Sequence, residues 1–231
     1  MRRSLLIFVC VGWLAGFMAR GYIARAQSSS GPSRTAGGAE TIVDGVAARI
    51  EDDILTESEV RELGAFQKLV DGAAKARADR IRELADQWIV RVEADAAKFE
   101  APASGDVDRA YTKLAAQFPS PEEFKDRCAA AGITEAAVRR ILGQQLYLSR
   151  FLDYRFRPAA QVDQKQIEAY YNNEFVPQLK TRNQTVPPLD DLRDTIREVL
   201  IQRTISERAN EWLDEARSRL KIDVISEGDR P

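Results

Sequence analysis

The chain has 231 residues, 44% hydrophobic and 30% charged, enough for one moderate domain or two small ones with a real core. It contains no histidine, which excludes His-based catalytic triads and histidine general bases and removes the commonest metal ligand. Two cysteines, Cys10 and Cys128, are too few for a disulfide framework.

The first segment reads as an export signal. Arg2 and Arg3 precede the apolar run from Leu5 to Ala19, Arg20 closes that run, and Ala24-Arg25-Ala26 offers a small-x-small cleavage pattern. The apolar run is about 15 residues, short of the roughly 20 that span a bilayer, so cleavage after Ala26 is expected, with a retained N-terminal anchor as the alternative. Removing residues 1–26 takes 34 basic residues to 30 against 36 acidic ones, a net charge of −6, and leaves Cys128 as the single thiol. A chain this acidic has no general electrostatic means of holding nucleic acid. Residues 27–40, QSSSGPSRTAGGAE, carry no apolar side chain larger than alanine and read as a flexible linker.

A domain over 41–231 follows. Ile42, Val43, Val46, Ile50, Ile54 and Leu55 supply strand positions, and Glu51-Asp52-Asp53 forms the turn of a hairpin. Thr56 and Glu59 then make a capping box that opens a helix reaching Val70, with Leu63, Phe66 and Val70 inward. The steps of Ile81, Leu84, Ala85, Trp88, Val92, Ala96 and Phe99 predict one face of a long helix, broken at Ala101-Pro102. Val107 to Phe118 repeats the pattern. Ser120-Pro121-Glu122-Glu123 opens another helix with a cap, a proline and a capping-box glutamate, ending at Gly132.

Thr134 caps a helix to Phe156 with two stripes. Val138, Ile141, Leu142, Leu148, Leu152 and Phe156 share one side, and Tyr147, Phe151 and Tyr154 lie nearly opposite. Asp163 caps a shorter helix holding Ile167, Tyr170, Tyr171 and Phe175, and residues 176–187 form a connector. A last helix from about Pro188 changes its apolar face midway, from Leu189, Leu192, Ile196, Val199 and Leu200 to Ile205, Ala209, Trp212, Ala216 and Leu220. It therefore has two partners. Lys221 to Ile225 alternates like a short strand, and because a lone hairpin is marginal in water, this strand is expected to complete it. The fold class is mainly α, with a small sheet formed by the N-terminal hairpin and the C-terminal strand.

Chemistry is sparse. No glycine-rich phosphate loop sits between a strand and a helix, and one thiol without histidine argues against zinc. Asp52-Asp53 and Asp190-Asp191 are explained by a turn and a helix first turn before catalysis is needed. Asn183-Gln184-Thr185 matches a glycosylation acceptor, a pattern common by chance. The aromatic side chains stand out instead. Tyr147, Phe151 and Tyr154 are either sandwiched between two layers or form the wall of a groove, where a tyrosine offers apolar contact and a polar edge to an extended peptide.

The stretch VDGVAARIEDDILTESEV resembles the opening of the SurA-type periplasmic chaperones and foldases. QKQIEAYYNNEF is similar to the segment that precedes their parvulin isomerase domain, and residues 187–225 are similar to the helix and strand that close the N-terminal module. The resemblance covers roughly residues 41–60, 80–175 and 187–225. Between Phe175 and Pro187, where a parvulin domain would need about a hundred residues, only a short connector stands, and parvulin sites use histidines that this chain lacks.

The resemblance implies a periplasmic, ATP-independent holdase for unfolded or extended polypeptide, without isomerase activity and without a cofactor. Tyr147, Phe151, Tyr154, Tyr170 and Tyr171 are its expected client contacts, and the membrane enters only through an uncleaved signal. A scaffold subunit binding one folded partner is the alternative. Self-association by exchange of the C-terminal strand stays open.

Overall fold

The structure, a computed structural model, describes residues 44–225, which belong to one unit. The expected signal segment, the linker and the strand positions Ile42 and Val43 lie outside the described residues.

Strand β1 (Val46–Ile50) returns as β2 (Asp53–Thr56) through Glu51 and Asp52, with Ile50 opposite Asp53. Glu51 has φ 50°, the positive value that tight hairpin loops require of a loop residue. The far end of the chain holds that turn in place. The Glu51 backbone N–H donates to the Lys221 carbonyl (3.0 Å), and the Glu51 carboxylate accepts from the Lys221 N–H (2.7 Å). Strand β3 (Ile222–Val224) pairs antiparallel with β1, giving the order β2-β1-β3. The C-terminal strand thus completes the hairpin within one chain.

Helix α1 (Glu57–Asp71) opens on the expected box: the Glu59 N–H donates to Thr56 Oγ1 (3.2 Å), and the Thr56 N–H donates to Glu59 Oε2 (2.8 Å). Gly72 ends it at φ 78°. Its buried face is Val60, Leu63, Phe66 and Leu69; Val70, expected inward, is exposed, because three-residue steps from Val60 carry the packed stripe onto Leu69.

Helix α2 (Arg77–Ala96) buries Ile81, Ala85, Ile89, Val90 and Ala94. Val92 and Ala96 face outward, and Phe99 lies beyond the helix, so the expected single face to Phe99 is corrected. The chain reverses at Lys98, φ 52°, where the Lys98 N–H donates to Asp95 O and the Phe99 N–H to Ala94 O (2.9 Å). That bond pair is a Schellman ending, with lysine in the position glycine usually takes.

Helices α3 (Ser104–Ala115) and α4 (Pro121–Ala131) follow, with Phe118 past the end of α3 and its ring 5.1 Å from that of Phe124. Ser120 caps α4, but the Glu123 carboxylate turns forward to Arg127 (2.7 Å), so the expected box is left half made. Thr134 caps α5 (Glu135–Phe156). Asp163 and Gln166 form a full capping box on α6 (Gln164–Tyr170).

Past α6 the connector expected over 176–187 is helical in its first half: a π turn over Tyr171–Phe175 leads into α7 (Val176–Thr181). Pro177 has no N–H and its ring crowds the carbonyl four residues back. Widening the preceding turn to i→i+5 absorbs both defects and lets the helix pass through.

Helix α8 (Leu189–Arg219) spans 31 residues. It contacts α5 and α6 along one part and α2 along another; Ile196, Ile205 and Ala209 of the expected stripe are buried, and Leu213 is buried in addition while Trp212, Ala216 and Leu220 are half-buried. Ala65, Phe66, Leu69, Leu114, Phe124, Cys128, Ile133 and Val138 form one core. Ala47, Ala48, Ile50, Leu55, Val60, Ile81 and Ala85 form another beneath the sheet.

Candidate functional site

Helices α2 and α8 wall a cleft of about 240 Å³. Trp88, Ile89, Val92, Trp212, Ala216 and Leu220 supply its apolar lining, and Glu93, Glu215 and Arg219 its charge. Trp88 is held by the sheet, its indole N–H donating to Asp53 Oδ2 at 2.7 Å. Trp212 packs on Phe156 with ring centroids 5.9 Å apart, and the Arg155 guanidinium lies 4.8 Å from the Trp212 ring while pairing with Glu93 at 3.3 Å. Tryptophans with fixed orientation expose an apolar wall at little entropic cost, which suits adaptable contact with side chains of varied shape.

The same two helices are joined by an ion pair. Asp86 on α2, with only 8% of its side chain exposed, accepts from Arg217 Nη1 at 2.6 and 2.8 Å. Burial pushes the Asp86 carboxyl up to about 6, against the opposing pull of Arg217 and Arg82. Arg217 also pairs with Asp214, and Arg82 with the same aspartate at 3.6 Å. Further along, Arg157 clasps Asp153 of α5 and Glu198 of α8 through four bonds of 2.6–3.0 Å. Both carboxyls are held below their ordinary values by that guanidinium.

Three of the five aromatic residues singled out by sequence come together. Phe99 is the hub: its ring lies 5.9 Å from Tyr147, 5.5 Å from Phe151 and 5.4 Å from Tyr154. Phe151 is 1% exposed and belongs to the core, whereas Tyr154 is 65% exposed. The Tyr147 hydroxyl donates to Asp95 Oδ1 (2.7 Å), and burial followed by that bond pushes it up to about 12. The stripe is thus a sandwich through Phe151 and a surface only at Tyr154. Phe99 went unrecognised as a hub because its spacing continued the α2 stripe, and only the Lys98 reversal turns it onto α5.

Tyr170 and Tyr171 stand apart, against α8. The Arg203 guanidinium lies 5.2 Å from the Tyr170 ring and pairs with Glu174 through two bonds of 2.9 Å. Tyr171 stacks on Phe175 and donates its hydroxyl to the Pro187 carbonyl (2.7 Å), which pins the end of the connector. Asp52 lies in the hairpin turn, Asp53 holds Trp88, and Asp190 pairs with Arg193 in the first turn of α8 (2.6 Å). Cys128 is buried in the core, and burial pushes its thiol up. Among the described residues no cluster of acidic or cysteine side chains is arranged to hold a metal ion, and no helix is long and apolar enough to cross a membrane.

Compared with known proteins, the chain matches no family model and no curated protein. The likeness to SurA-type chaperones therefore rests on the motifs quoted above.

Proposed function

We propose that the protein is an exported, ATP-independent holdase that binds unfolded or extended polypeptide, a SurA-type N-terminal module without the parvulin isomerase domain. The observation that carries this reading is the α2–α8 cleft: an apolar wall of Trp88, Val92, Trp212 and Leu220 set at the junction of the closing sheet and the helical body. Support also comes from Val92, 41% exposed in that wall, and from Arg155, whose guanidinium meets Glu93 and the Trp212 ring of the cleft. Burial of client side chains at about 25 cal/mol per Å² would give modest, reversible affinity in a site this small, as release requires.

The test is suppression of aggregation of an unfolded outer-membrane protein, run beside a proline-isomerisation assay on the same preparation. The purified protein should suppress aggregation without accelerating isomerisation. Val92→Glu should weaken suppression several-fold while leaving the thermal transition in place, because Val92 is exposed. Absence of suppression by the unaltered protein would reject the holdase. A single stable complex with one folded protein would replace it with an assembly subunit.

A further inference from the structure

Among the described residues, the backbone register of the sheet leaves one edge open. Glu51 donates to Lys221 O and Ile225 donates to Ala47 O, with Arg49 opposite Asp223 between them. In an antiparallel ladder this alternation turns the N–H and C=O groups of residues 221, 223 and 225 toward β1 and those of Ile222 and Val224 away from it. Among the described residues nothing bonds to the outward groups of Ile222 and Val224, and Val224 is 54% exposed. The opposite edge is less open, since the outward N–H of Thr56 is taken by Glu59.

We propose that the outer edge of β3 is a docking strand for extended polypeptide, which adds to the sheet as a fourth strand and lays a side chain into the α2–α8 cleft. This rests on the holdase reading above and names how its client is held. Two unpaired backbone donors and acceptors in a row are met by another extended backbone and by no helix. Leu220, two residues before Ile222, already lines the cleft, so this edge begins two residues from its wall. A second folded copy is a poorer occupant. A three-residue edge is only about 10 Å long and cannot by itself bury the roughly 1,200 Å² of a stable interface. A client strand needs no such area, and main-chain pairing is indifferent to client sequence.

The experiment uses Val224→Pro and Val224→Thr in the full protein. Proline at this position removes an outward N–H and leaves every bond between β3 and β1 intact; threonine keeps the N–H and the shape. Fluorescence anisotropy measures binding of reduced, carboxymethylated lactalbumin, a permanently unfolded protein, and of a short Val/Thr-rich peptide in plain and alternately N-methylated forms. Val224→Pro should weaken both probes about tenfold, the loss expected for one or two backbone hydrogen bonds, while Val224→Thr binds like the unaltered protein. The N-methylated peptide should be weakened by a similar factor.

If the unaltered protein binds the unfolded probe and Val224→Pro binds it equally well, the edge is not the docking strand and the holdase reading survives. If the unaltered protein binds neither probe, both readings fall. Should Val224→Pro melt far below the unaltered protein, the peptide pair decides: equal affinity for the plain and N-methylated forms overturns the proposal. A dimer in sedimentation that Val224→Pro dissolves would assign the edge to a second copy and overturn it as well.

Discussion

Replacing Asp86 by asparagine tests which of two opposed effects governs the link between α2 and α8. Burial raises the carboxyl from 3.8 to about 6, while Arg217, bonded at 2.6 and 2.8 Å, and Arg82 pull it down and Asp214 pushes it up. A group whose folded pKa exceeds its unfolded value binds a proton more tightly in the native state. Its stabilising contribution is full below pH 3.8, declines as pH rises through about 6, and is flat above. The rise from 3.8 to about 6 corresponds to about 3 kcal/mol.

The Asp86→Asn variant keeps an oxygen acceptor for Arg217 and has nothing to titrate. Relative to the unaltered protein it should gain about 2 kcal/mol or slightly more between pH 4 and pH 7. Urea unfolding followed by tryptophan fluorescence, repeated across that range, measures the difference. Other carboxyls titrate in both proteins and cancel, and the chain has no histidine to complicate the window. A difference that runs the other way, with the unaltered protein gaining on the variant as pH rises, would refute the reasoning. It would mean that the attraction of Arg217 outweighs the cost of burying the charge.

Two further outcomes concern the elements that set the fold. Phe99→Ala removes the ring on which Tyr147, Phe151 and Tyr154 pack and should cost about 2–4 kcal/mol in urea unfolding; a cost below about 1 kcal/mol would show that the α5 stripe holds without its hub. Thr56→Ala opens the capping box at the joint between β2 and α1 and should cost about 1 kcal/mol in the same assay, with the circular dichroism of the folded state unchanged.

Local chemistry made most of the fold legible. Thr56 with Glu59, Asp163, Thr134, and the glycines at 72 and 132 each mark helix ends, where backbone groups are left open, so residues a few positions apart were enough to place those boundaries. The changing stripe of α8 announced two partners because a buried face is recorded in spacing. Boundaries that depended on uncommon chemistry were lost. Lysine at a left-handed position ended α2 without the glycine that would have marked it, and a π turn carried a helix through Pro177 where proline reads as a stop.

The candidate site was harder to see for a different reason. Spacing along one helix shows which residues share a side and is silent about what lies opposite. Tyr147, Phe151 and Tyr154 were correctly placed on one side of α5, yet whether that side was wall or core depended on Phe99, a residue about fifty positions away whose ring is aimed by the backbone at Lys98. The α2–α8 cleft posed the same problem twice over, since Trp88 and Trp212 each look like an ordinary core position on their own helix. Their meeting follows from the return of β3 to β1, which draws the end of α8 to the hairpin and sets Arg217 against Asp86. The hairpin, marginal alone, is thus what turns two generic amphipathic helices into the walls of one cleft, with Leu220 of that wall leading directly into β3.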